Sequence, residues 1–211
     1  MTNKEKFIEL LRSTNREGIE SLITFLENSD FFTAPASTVF HNSFDGGLCE
    51  HCLNVYNNML TLKKQYSDKR MNDMQLDSII IVALLHDLSK TNFYEKSIQN
   101  KKLYGPNGSK YDNLGNYDWV SVESYRVKEP KLRFVGFDHC VDSVLIAERY
   151  IKLTESEKIA IINHHCNIGT STRNYDLSEV YSRSQLAFCL HMADMTAVYI
   201  DENRYLNPDN I

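Results

Sequence analysis

A chain of 211 residues is long enough for one domain with a full core, and 42% hydrophobic against 24% charged residues is ordinary for a soluble globular protein. No apolar run approaches the ~20 residues that a bilayer span needs, and a net charge of −5 argues against a general affinity for duplex nucleic acid, so an anionic ligand must meet local positive charge such as a metal ion. Five cysteines without disulfide spacing, and an N-terminus with no secretory apolar stretch, point to a reducing, cytoplasmic setting away from membranes.

Phe7, Ile8, Leu10 and Leu11, then Ile19, Leu22, Ile23, Phe25 and Leu26, recur at helical spacing and predict two short amphipathic helices broken near residues 14–18. Phe31, Phe32 and Pro35 form an apolar connection. Beyond His41 the pair Gly46-Gly47 punctuates the chain, and a helix resumes over Leu48 to Tyr66 with His51 in its first turns. The next helix starts near Asp73 and runs through seven apolar residues, about two turns, into His86, Asp87 and, past a Leu-Ser step, Lys90. An imidazole and a carboxylate buried side by side require a cation or a closed hydrogen-bond network. The bland alternative is a polar helix end, with Lys90 answering the dipole.

Between about Tyr94 and Phe134 the helical period disappears. Turn signals at Gly105-Pro106-Asn107-Gly108 and strand formers such as Trp119, Val120, Val122 and Tyr125 predict a small β-hairpin insertion. Its tyrosines, Trp119 and lysines suit a ribbon that stacks a base and holds phosphate, or equally a hairpin built from ordinary strand formers with a charged edge. His139 falls at a predicted helix start. Thr154 and Glu157 fit a capping box opening a helix that runs to His164 and His165, and a last long helix over about Ser182 to Asp201 carries His191 and Asp194.

His51, His86, Asp87 and Asp194 come from three predicted helices and converge if each helix buries its apolar face in one core. Imidazole and carboxylate without thiolate select Mn, Fe, Co, Ni, Zn or Mg. His191, three residues before Asp194 on the same face, is read as a supporting residue, and His41 as a loop residue that touches substrate or nothing. Cys49 and Cys52 make a C-x-x-C without the strand context of a redox motif or the second pair of a zinc site, so they are read as helix packing.

The order Gly46-Gly47-Leu48-x-x-His51, then His86-Asp87-Leu88-Ser89-Lys90, then His191-Met192-Ala193-Asp194, resembles the HD-domain metal-dependent phosphohydrolases, in particular a bacterial and phage subgroup. Relatives often carry Gly where Ser89 stands. The resemblance covers about Phe31 to Ile200 and implies a single all-α domain over 1–211, an HD-domain helical bundle with the β-hairpin inserted at about 94–134. It implies one divalent ion held by His51, His86, Asp87 and Asp194, with Asp87 bridging to a second held by His139 and His164, His165 being the alternative to His164. The implied activity is hydrolysis of a phosphate ester, in a nucleotide or short single-stranded nucleic acid, by a metal-bridged hydroxide, with Asp87 and Lys90 as the catalytic pair. A catalytically silent nucleotide-binding or regulatory module, and a structural metalloprotein, are the competing classes. Substrate, metal count and oligomeric state are left open by the sequence.

Overall fold

The computed structural model describes residues 1–69, 73–134, 136, 138–165 and 177–202. Helix α1, Asn3–Ser13, opens on a capping box between Thr2 and Glu5, and α2, Ile19–Glu27, follows a reversal at Gly18 with φ 84°. A Cβ on Gly18 would lie 1.9 Å from the Tyr150 carbonyl oxygen, so the close approach of this turn to the 150 segment demands glycine. Between the two helices Arg16 reaches inward to Glu157 at 2.8 Å and to Asp77 at 3.0 Å.

The centre of the molecule is α4, Leu76–Leu85, in which every residue from Ser78 to Leu85 is buried. A helix apolar on all sides must be surrounded. Helix α3, Gly47–Gln65, packs on α4 and on α8, Gln185–Thr196, while α6, Glu155–Ile162, bridges α4, α8 and α5, His139–Ala147. Helix α7, Leu177–Arg183, packs against α8. The capping box at Thr154 and Glu157 closes α6 as expected from its local pattern.

The all-α class expected from the sequence is corrected: the fold is mixed α and β. The insertion is a three-stranded antiparallel sheet in the order β1-β3-β2, with β1 over Tyr94–Tyr104, β2 over Lys110–Asp112 and β3 over Gly115–Val127. Register runs unbroken from Tyr94 opposite Val127 to Tyr104 opposite Tyr117. Strand-forming side chains on both arms, with the turn beyond Tyr104, let the ribbon pair with itself over its whole length, so it exceeds the small hairpin that its turn signals suggest. Asp45 ties its base to the loop before α3, taking an ion pair from Lys96 at 2.8 Å and a hydrogen bond from Tyr125.

The helix expected over about 182–201 starts three residues later, running as α8 from Gln185 to Thr196 and then as a π-helical turn to Asp201. Ser184 leaves helical geometry and accepts a hydrogen bond from the Ala187 amide at 3.1 Å, so it caps a new helix rather than continuing the old one. No helix among the described residues is long and apolar enough to cross a membrane.

The Gly46-Gly47 step sets the start of α3. Gly46 has φ 87°, and a Cβ on Gly47 would sit 2.0 Å from the Asn42 carbonyl oxygen. Gly47→Ala is therefore expected to cost about 1–3 kcal/mol of stability, as for other overpacked positions. A urea midpoint equal to that of the parent protein would show that the 42–47 loop shifts freely.

Candidate metal centre

Three imidazoles are oriented the same way by their outer nitrogens. His86 Nδ1–H donates to the Ala83 carbonyl at 2.9 Å, His164 Nδ1–H to the Ile161 carbonyl at 2.6 Å, and His51 Nδ1–H to the Glu202 carboxylate at 3.0 and 3.1 Å. Each ring is left presenting Nε2 inward. The first two bonds are helix-end carbonyls: His86 follows the last residue of α4, and His164 lies just past α6, which ends at Ile162 rather than reaching the two histidines.

His51 Nε2 lies 3.2 Å from Asp194 Oδ1, 3.5 Å from Asp87 Oδ2 and 3.3 Å from His86 Nε2. Two imidazole nitrogens with their protons on the far side repel at that separation, so a cation must be shared there, either a proton or a metal. Asp87 Oδ2 also sits 3.4 Å from His86 Nε2 and 2.7 Å from the Lys90 ammonium, while its other oxygen faces His164 Nε2 at 3.9 Å. The short 3₁₀ turn Leu88–Lys90 brings Lys90 back onto its neighbour.

Burial opposes ionisation of Asp87, but the Lys90 ammonium and the His86 ring outweigh it and hold the carboxyl well below the usual carboxylate range. Burial likewise opposes a charge on His51; the Glu202 and Asp194 carboxylates win, and the ring is pushed up to about 10. His164, His139 and His165 are lowered, chiefly by burial, and stand as neutral imidazoles at neutral pH. Neutral imidazole is the form that ligates a metal.

His139, at the start of α5, brings its ring to 5.4 Å from that of His164 and 4.8 Å from that of His165. The site therefore contains overlapping sets able to hold an ion: His51, His86 and Asp194; His86, Asp87 and His164; and His139, His164 and His165. Asp87 Oδ1, Asp194 Oδ2 and His164 Nε2 are three of the seven buried side-chain atoms that lack a hydrogen-bond partner among the described residues. Each such atom costs about 1–3 kcal/mol, so the donor set fits a cation better than it fits the protein alone.

All six expected ligand residues, and Lys90, are brought together, with His165 beside them at the more exposed edge, 3.8 Å from Asp194 Oδ2. His191 donates Nδ1–H to the His164 carbonyl at 2.7 Å and stacks on Tyr181, holding the backbone that carries a site histidine. Cys49 and Cys52 are buried in the core, where burial pushes the Cys49 thiol up to about 12, a protonated packing group rather than a ligand.

One contributor, Glu202, escapes sequence reasoning. Glu202 is buried and accepts from His51, from His41 Nδ1 at 2.6 Å and from Asn54 Nδ2 at 2.9 Å. His41 thereby joins the site through Glu202, beside a cavity of about 330 Å³ that also touches Phe40, Phe44, Lys101 and Glu123. The ribbon enters this cavity through Lys101, Glu123 and Ser124. Trp119 and Tyr117 instead form a cluster around the Lys102 ammonium, 5.8 and 4.3 Å from their ring centres, and neither ring lines this cavity.

No protein-family model matches the chain, and no match was found among curated proteins or solved structures.

Proposed function

We propose that the chain is a metal-dependent phosphoric ester hydrolase of the HD type, acting on a nucleotide or a short single-stranded nucleic acid. The observation that carries this reading is Asp87, whose two oxygens face different imidazoles while buried atoms on both sides of it lack partners. His51, His86, Asp87 and Asp194 would hold one divalent ion; Asp87, His139 and His164 a second, with His165 close enough to contribute. The donor set is compatible with Mn, Fe, Co, Ni, Zn or Mg. Such ions supply Lewis acidity toward a phosphoryl oxygen and a water acidic enough to react near neutral pH.

The chain's own residues account for the remaining requirements. Lys90 keeps Asp87 ionised and adds a fixed positive charge to a protein of net charge −5, where an anionic ester needs it. The cavity beside His41 has a volume at the lower end of the roughly 300–1,000 Å³ range of ligand pockets, and it lies behind the Glu202 edge of His51, lined by none of the six proposed metal ligands.

Elemental analysis of the purified protein is expected to find two ions per chain. A single occupied site, with His139 and His164 turned away, would leave only a mononuclear centre. A metal-supplemented screen of nucleotides, cyclic nucleotides and short RNA or DNA, with products resolved by mass, tests the activity. Ligand binding without phosphate release would move the chain to the catalytically silent nucleotide-binding or regulatory class; unfolding on metal removal with no activity would make it a structural metalloprotein.

A further inference from the structure

The geometry points to Glu202 as a positioning residue for His51, an inference that rests on the metal-centre reading above. Glu202 follows the π-helical turn Ala197–Asp201, which extends α8 beyond Asp194, and its amide is tied back to the Ala197 carbonyl at 2.9 Å. In an uninterrupted α-helix the residue eight positions after Asp194 would lie about 80° round the axis from it. The wider turn advances fewer degrees per residue, so Glu202 falls back toward the face that carries Asp194.

There it grips the outer edge of the His51 ring while Asp194, Asp87 and His86 surround the inner edge. One carboxylate thus fixes which His51 nitrogen carries the proton, sets the plane of the ring, and raises the electron density of the nitrogen facing the centre. His86 and His164 have only neutral carbonyls in the equivalent place. Among these three imidazoles, His51 is the one with an anionic support. Asn54, three residues after His51 on α3, and His41 each donate to the same carboxylate, which fixes its orientation in turn. A separate ion among His41, His51 and Glu202 is disfavoured, because it would displace the His51 proton that presents Nε2 to the main centre.

The test compares Glu202→Ala and Glu202→Gln with the parent protein by competition for Mn²⁺ or Zn²⁺ against a chromogenic chelator, and by the visible spectrum of the Co²⁺-loaded proteins. Glu202→Ala is expected to weaken metal binding about 10- to 100-fold, the usual loss when the support of a ligating histidine is removed. Glu202→Gln should fall in between, since its carbonyl still accepts from His51 without supplying charge, and should alter the Co²⁺ spectrum while unfolding like the parent. If Glu202→Ala fails to fold, the glutamine variant decides alone. Parent protein and foldable variants that bind metal equally, with the same Co²⁺ spectrum, overturn the role of Glu202 and leave the centre standing. A parent protein that takes up no ion overturns the centre and this inference together.

Discussion

Asp87→Asn is expected to lower phosphate-ester hydrolysis by roughly a thousandfold or more, about 4 kcal/mol of barrier. The amide keeps the shape of the side chain but removes the charge that, on the proposed reading, offsets two cations at once. It also leaves Lys90, 2.7 Å away, without its carboxylate, so some stability is lost as well. Fold and chemistry are separable here because α4 is held by its apolar residues from Ile79 to Leu85, none of which depends on Asp87. The urea midpoint of Lys90→Met, measured beside it, reports the share of the stability loss that is due to the ion pair. Turnover close to the parent's at saturating metal, from a folded Asp87→Asn protein, would reduce Asp87 to a polar helix end.

The largest effect expected on stability is at Arg16→Ala, outside the candidate metal centre. The Arg16 guanidinium forks onto Glu157, whose side chain is fully buried and also accepts from Ser78 Oγ at 2.7 Å and from the Thr154 amide at 2.9 Å. This joint fastens the α1–α2 connection to α4 and α6. Removing the cation leaves a buried carboxylate without its charge partner, a loss of about 3–5 kcal/mol. Arg12, paired with Glu20 on the surface, is the control: both side chains are more than half exposed, and Arg12→Ala should leave the urea midpoint where it is. Equal midpoints for the two variants would show that the Arg16 network adds nothing that the apolar core does not supply.

Features set by neighbours in the chain were legible before the fold was known. The Thr154–Glu157 capping box, the break between α1 and α2, and the start of α5 at His139 are each specified within a few residues by hydrogen bonds or spacing that a linear reading captures. The same holds for His86 and Asp87, which stand out as a polar pair closing a helix with no polar face. The start of α8 was placed only to within about three residues because apolar residues on both sides of Ser184 keep the helical period, and only the cap itself marks the boundary. The insertion was legible as β and in its approximate bounds, but its three-stranded pairing was not: strand length depends on which residues meet across the ribbon, as Tyr94 meets Val127, and the mixed class of the fold follows from that pairing.

What the sequence alone determined about this protein is therefore the chemistry available, imidazoles and carboxylates placed in or beside apolar helices, and the local caps and turns that start those helices. Only the tertiary structure decided which of them meet. Asp87 reaches His51 on one side and His164 on the other because α3, α4 and the end of α6 pack around one core, a condition spread over more than a hundred residues. Glu202 is the sharper case. A uniform α-helical period carries it away from Asp194, and a single π-helical turn, whose wider hydrogen bonding leaves no fixed mark on the residue pattern, swings it back beneath His51.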